Sequence, residues 1–258
     1  MKNIIFMIVI TILLQACATS SPQTKSKHLI GESRAALEEM NIGLKYQKSN
    51  DIQNAIIHFK KAANMGLAHA QIMLGIIYSQ MDNHIEATKW FLMAATNDDA
   101  QAQYEIGKRY YFGIGIDKNE SEAISWLSKS VEQNNPNAQY MVGSLKLQKY
   151  TKDSKSELPE NMKDKTECYD LILKAAEQGH PDAQMGMVIF YSASNDYIEI
   201  YKWLTIASQK SKYALRWRDA WDNEGKITQE QKDTAVKLAK IWLEEHPVDP
   251  HQIFDTRF

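Results

Sequence analysis

The sequence predicts an all-α chain, an α-solenoid of antiparallel helix pairs stacked side by side. Three observations predict it. Small residues recur in register at Gly43, Gly75, Gly107 and Gly143, with Val188 in the next place, and Tyr46, Tyr78, Tyr110, Lys146 and Tyr191 follow them by one helical turn. A second series runs Ala55, Ala87, Ala123, Cys168 and Ile200, with the larger companions His58, Trp90, Trp126, Leu171 and Trp203, and then Ala62, Ala94, Ser130, Ala175 and Ala207. The dipeptide Ala-Gln recurs at Ala70-Gln71, Ala102-Gln103, Ala138-Gln139 and Ala183-Gln184, always just ahead of the Gly or Val. Offsets of one turn keep each column on one helix face, and a repeat length of roughly 30–45 residues is that of a helix pair.

The chain opens on an address. Lys2 precedes an apolar run from Ile4 to Leu14, broken by Thr11 and about half the ~20 residues that a membrane span requires. Residues 1–16 therefore read as a signal peptide. The stretch Leu14-Gln15-Ala16-Cys17 resembles a bacterial lipobox, with Gln15 in place of the usual small residue. The resemblance implies lipidation of Cys17, with palmitate among the acyl chains. Several chains, at ~0.8 kcal/mol per buried methylene, would hold the protein on a bilayer. Ala18 rather than Asp after the cysteine is what the resemblance associates with the periplasmic face of the outer membrane. Residues 17–32, rich in Ser, Thr, Gln and Lys, then read as the lipidated amino terminus and a flexible tether.

Residues 33–211 carry the repeats. In the stretch from Ala100 to Asn135, Ala102, Gly107 and Tyr110 mark a first helix, and Gly113 and Gly115 break it. Asp117 to Glu122 supply capping and acidic first-turn chemistry for a second helix bearing Ala123, Trp126, Leu127 and Ser130, which Asn134, Asn135 and Pro136 end. These units resemble Sel-one-like repeats, relatives of the tetratricopeptide repeat. Residues 100–135 match that motif most fully, with its Tyr-x-x-Gly-x-Gly turn. Residues 68–99 lack the turn, residues 35–66 read as an amino-terminal cap, and residues 181–211 lose the glycine. The resemblance implies a right-handed superhelix whose first helices line a concave groove.

The unit from Pro136 to Gly179 holds an insertion, Tyr150 to Met162, rich in Lys, Ser, Asp and Glu and expected to project as a loop. Residues 212–246 read as capping helices: Tyr213 to Trp221 form a short one, and Thr228 to Gln231 have capping-box spacing before a last helix with the stripe Ala235, Leu238, Ala239 and Trp242. Residues 247–258 are expected to form a loose tail.

The chemistry-bearing residues make a thin inventory. A net charge of -2 gives no basic excess to attract nucleic acid. No histidine falls in an H-E-x-x-H or comparable spacing, so no metal and no cofactor is expected. Cys168 shares its column with Ala and Ile, which asks for a small apolar side chain rather than a nucleophile. No G-x-S-x-G, C-x-x-C or phosphate-cradling loop is present, and the chain reads as a non-enzyme.

Carried over by position, the resemblance places His69, Ile72, Gln101, Tyr104, Lys108, Tyr111, Asn137, Tyr140, Ser144, Asp182 and Met185 along the groove, with Met40, Leu44, Ile76 and Ile189 beside them. Tyr104 and Tyr140, one unit apart next to Lys108 and Asn137, suit a peptide partner. The reading that follows is a lipid-anchored periplasmic adaptor holding another protein or peptide. Alternatives are an immunity protein against a delivered toxin, and an enzyme or accessory acting on cell-wall glycan, which would need carboxylates clustered in the groove.

Overall fold

A computed structural model describes residues 34–154 and 167–247, and among them it holds twelve α-helices and no strand. A first compact unit reaches Asn134 and a second begins at Asn135. The first contains α1 (Arg34–Lys48), α2 (Ile52–Asn64), α3 (Ala68–Gln80), α4 (His84–Thr96), α5 (Ala100–Phe112) and α6 (Glu120–Glu132). The second contains α7 (Pro136–Ser154), α8 (Glu167–Glu177), α9 (Pro181–Ala193), α10 (Tyr197–Ser208), α11 (Lys212–Glu224) and α12 (Gln229–Glu245).

Within each unit short turns fold most successive helices back on one another. Asn50, Asp82, Asp98, Asn134 and Asn195, each just beyond a helix end, take left-handed backbone, a conformation their short polar side chains tolerate. Side-chain oxygens of Asp51, Asn83, Asp99, Asn119 and Asp196 then accept the first free amides of α2, α4, α5, α6 and α10. The expected capping box of the last helix is present: Thr228 and Gln231 satisfy one another's backbone amides at the start of α12.

The glycine column has one cause throughout. A β-carbon on Gly43 would meet the Phe59 ring at 2.6 Å, on Gly75 the Phe91 ring at 2.8 Å, on Gly107 Leu127 Cγ at 2.6 Å, and on Gly143 Ile172 Cγ1 at 2.7 Å. In each pair the second helix drives a large side chain against the bare backbone of the first. The alanine columns at 55, 87 and 123 and at 62, 94, 175 and 207 are fully buried, as is Ser130. In the first unit, α3 contributes Met73 and Leu74 to a core shared with α1 and α2, and Ile72 to a core shared with α4 and α5. No pair owns its core.

The glutamines of three Ala-Gln dipeptides, Gln71, Gln103 and Gln184, staple one pair to the next, and Gln139 ties its own pair together. Gln71 Nε2 donates to the Ala63 carbonyl at 3.1 Å and its Oε1 accepts from Asn97 at 3.2 Å. Gln103 repeats this with the Ala95 carbonyl at 3.5 Å and Gln133 at 2.9 Å. In the second unit Gln184 donates to the Ala176 carbonyl at 3.3 Å, and Gln139 accepts from Gln178 at 2.7 Å. All four glutamines are buried, so the bonds of Gln71, Gln103 and Gln184 to the helix carbonyls lie in shielded surroundings.

Several expectations need correction. Pro136 starts α7 rather than ending α6, because the first helical position needs no amide hydrogen. Helix α7 continues to Ser154, through the first residues of the expected loop; residues 155–166 lie outside the described ones. The first capping helix runs on to Glu224 and stops at Gly225 in left-handed backbone. Trp126 is half-buried, whereas its neighbour Leu127 occupies the core. Leu238 is exposed, while Ala235 and Ala239 pack inward as the stripe predicts. The expected signal peptide, Cys17, the tether and residues 248–258 lie outside the described residues.

Candidate functional site

The predicted groove residues sit on odd-numbered helices, at one-turn offsets that give each helix a common face. In the first unit, α3 carries His69, Ile72 and Ile76, and α5 carries Gln101, Tyr104, Lys108 and Tyr111. Tyr104 is 0% exposed, and the Lys108 amine stands 5.1 Å from the centre of its ring. Lys108 is itself buried and pairs with Glu105 Oε2 at 3.1 Å. Ile72 is buried as well, while His69, Ile76, Gln101 and Tyr111 stay half-buried. Tyr111 meets Phe112 edge-on at 4.9 Å, and the Lys118 amine lies over its ring.

In the second unit, α7 carries Asn137, Tyr140 and Ser144, and α9 carries Asp182, Met185 and Ile189. Asn137 is buried; Tyr140, Ser144, Asp182 and Met185 are half-buried, and Ile189 is exposed. The Tyr140 ring centre lies 4.7 Å from that of His180. Burial raises the Tyr140 phenol above its ordinary range; a hydrogen bond with Ser144 opposes the rise and the Asp182 charge adds to it. The phenol therefore stays neutral and can serve as a hydrogen-bond donor. His180 caps α9 by accepting the Ala183 amide on Nδ1, which fixes the ring with its hydrogen on the other nitrogen.

The expectation of open groove residues is thus corrected at Ile72, Tyr104, Lys108 and Asn137, which are buried. Ile72 and Tyr104 lie one turn ahead of the glycines at 75 and 107 on a flank that the neighbouring helices close in the first unit, whereas Tyr140, ahead of Gly143, stays half-buried. Met40, one turn ahead of Gly43 in the first unit, is buried as well.

Sequence reasoning passed over Arg109, which latches the glycine turn of its own repeat to the preceding one. Its guanidinium lies over the Phe91 ring, donates to Thr88 Oγ1 at 3.1 Å, to the His84 carbonyl at 3.3 Å and to the Ile114 carbonyl at 3.4 Å, and bonds Ser79. Gly115 is required there: a β-carbon on it would stand 2.2 Å from the His84 carbonyl oxygen, and its φ is +68°. Burial lowers the Arg109 pKa from its usual height, and Glu105 opposes this. The Gly-x-Gly spacing was the available signal, because a turn so tight against a neighbour needs donors for its inward carbonyls. Glu105 and His180 were also missed; only the Glu105–Lys108 spacing of one turn hinted at the first.

Among the described residues no group of His, Cys, Asp and Glu is placed to hold a metal ion. Cys168 is buried in its small-residue column and forms no disulfide among the described residues. His58 is half-buried, stacked on Tyr46 at 5.3 Å and bonded to Glu39. Within this face the side chains offer hydrogen bonds, aromatic edges and a thioether, which is the chemistry of holding a partner.

Glycine-seated helix pairs, joined by buried glutamines and offering one polar and aromatic face per helix row, define a helical-repeat protein of the tetratricopeptide-like class. Within that class the chain carries Sel1 repeats: the Sel1 repeat model matches residues 40–67, 68–99, 100–135 and 162–180. A Sel1 repeat protein from Oxalobacter formigenes superposes with a TM-score of 0.63 at 20% identity, covering 97% of this chain and 99% of that one. The c5321 protective antigen of uropathogenic Escherichia coli, described as displaying an SLR fold, gives 0.50 at 23% identity, over 82% of this chain and 54% of its own. At such identities these two show the fold. The DAP3-binding cell death enhancer 1 of Rattus norvegicus is 34% identical over 96 residues, 36% of this chain and 19% of that protein. The match thus spans about a fifth of that relative's length. Sel1-repeat proteins in general are protein-interaction adaptors.

Proposed function

We propose that this protein is a lipoprotein of the bacterial envelope, anchored through Cys17 to the periplasmic face of the outer membrane. There it acts as a non-catalytic adaptor that holds another protein or peptide on the odd-helix faces of its two units. The address rests on Lys2, the apolar run from Ile4 to Leu14 and the lipobox-like Leu14-Gln15-Ala16-Cys17. The rat relative, whose name states that it binds DAP3, supports protein binding as the task of the repeats.

The observation that carries the binding role is the half-exposed set Tyr140, Ser144, Asp182 and Met185 in the second unit, matched in the first by His69, Gln101 and Tyr111. An aromatic edge, neutral donors, a carboxylate and a thioether at half exposure can clamp a peptide without losing the core beneath.

The test is crosslinking and pull-down from intact envelopes, comparing wild type with Tyr140→Ala/Met185→Ala, with circular dichroism to check folding. Loss of a captured protein with helicity kept supports the face, and a toxin among the captured proteins would favour the immunity role. Undiminished capture would remove the face from the account. Mass spectrometry of the amino-terminal peptide tests the anchor: an unmodified Cys17 would end the lipoprotein reading.

A further inference from the structure

Helix α11 packs on α10 through Ala214 and Trp221 and turns its other side to solvent. On that outer side Tyr213 is 59% and Trp217 45% exposed, one turn apart, with ring centres 5.9 Å from each other. Lys212 and Arg216 flank them and are exposed too. Helical spacing puts these residues on one stripe: Tyr213 and Trp217 share an edge, and Lys212 and Arg216 stand beside them.

The charge around this stripe is one-sided. Between Glu199 and Asp219 the chain has no acidic residue, yet it holds Lys202, Lys210, Lys212, Arg216 and Arg218. Of these, Lys202 pairs with Glu199 at 2.6 Å, and Arg218 bonds Ser208 and approaches Asp219 at 3.5 Å. Glu224, further along the helix, pairs with Lys226 at 2.6 Å. The aromatic end of α11 is therefore the cationic end.

A terminal helix whose only task is to shield the array would turn polar residues outward, and exposed Trp and Tyr contradict that task. Tyr and Trp have an apolar body and a polar tip, the combination that settles at the headgroup level of a bilayer. Lysine and arginine beside them are drawn to anionic lipid. The stripe is a convex helix side rather than a cleft, which suits a flat surface better than a peptide.

We infer that the Tyr213–Trp217 stripe of α11, with Lys212 and Arg216, is a contact site for an anionic lipid bilayer. The nearness of a membrane rests on the lipoprotein reading above; the composition of the stripe does not. With the amino terminus already anchored, even a weak second contact would act at high effective concentration and restrict how the protein stands on the membrane.

The test uses the full chain on vesicles of phosphatidylethanolamine with or without phosphatidylglycerol, some carrying brominated acyl chains. The difference in emission between wild type and Trp217→Phe isolates that ring among the six tryptophans, whatever holds the amino terminus. The expected result is quenching of the Trp217 component by brominated lipid only when phosphatidylglycerol is present, weakened about tenfold or more by Lys212→Glu/Arg216→Glu. Circular dichroism confirms that the variants stay folded. Three results would overturn the site: Trp217 fully open to an aqueous quencher on the vesicle, quenching indifferent to phosphatidylglycerol and to the charge reversal, or shielding that appears only as protein concentration rises or an acidic peptide is added. Acylated Cys17 with Trp217 in water would sink the stripe alone; bare Cys17 with Trp217 quenched would sink the anchor alone.

Discussion

Leu127 Cγ stands 2.6 Å from where a β-carbon on Gly107 would be, so the glycine is the seat into which the second helix of that pair is pressed. Replacing Gly107 with Ala should overpack the α5–α6 contact and lower stability by about 1–3 kcal/mol. A thermal melt by circular dichroism reads this, and an unchanged midpoint would show that the pair can part without cost.

Leu127 and Trp126 give a sharper comparison, because the larger side chain is the less buried. Leu127 is 1% exposed, whereas Trp126 is half-buried with the Lys129 amine 4.2 Å from its ring centre. Leu127→Ala should cost about 2–5 kcal/mol. Trp126→Ala should cost less than Leu127→Ala in the same denaturant titration. The reverse order would mean that the tryptophan column, and not the residue after it, carries the core.

Gln103 binds the Ala95 carbonyl on one side and Gln133 on the other. Gln103→Leu keeps the size but removes both bonds, while the Ala95 carbonyl keeps the Asp98 amide and Gln133 keeps Asp98, so a loss of about 0.5–1.5 kcal/mol follows. Amide exchange should quicken first around Ala95 and Gln133. Uniform quickening along the chain would argue against a local staple.

A pH effect is expected at the α1–α2 contact. The hydrogen bond from His58, helped by Lys61 and opposed by partial burial, holds the Glu39 carboxyl below its usual 4.5. A carboxyl lowered in the folded state contributes stability above its unfolded pKa, and that contribution vanishes as pH falls through the folded value. Wild type should therefore exceed Glu39→Gln in stability near neutral pH and lose the advantage below about pH 4.5. Melts across that range check it; an advantage that persists in acid would contradict the assignment.

The repeat columns were legible because each has a single steric cause that recurs: a glycine under a large side chain, or an alanine where helices meet. The groove was less legible. Tyr104 has the composition of a binding residue, yet its place one turn ahead of Gly107 puts it on the flank of the most crowded face, where exposure depends on what the neighbouring helices bring. Tyr140 holds the matching position ahead of Gly143 and stays half-exposed. Arg109 escaped notice because its partners are scattered over Ser79, His84, Thr88 and Phe91 of the preceding repeat and Ile114 of its own, a set that no single spacing marks in the sequence. The exposed pair Tyr213 and Trp217 was hidden by the assumption that a terminal helix shields an apolar face and presents none.

The adaptor role is tested most directly by placing a photo-crosslinking amino acid, in living cells, at Tyr111 or Tyr140, on the odd-helix faces of the first and second units, and at Ile124 on the exposed side of α6. Adducts to the same protein from positions 140 and 111, with none from 124, are the predicted result. Equal labelling from Ile124, or no adduct from either tyrosine position, would contradict it.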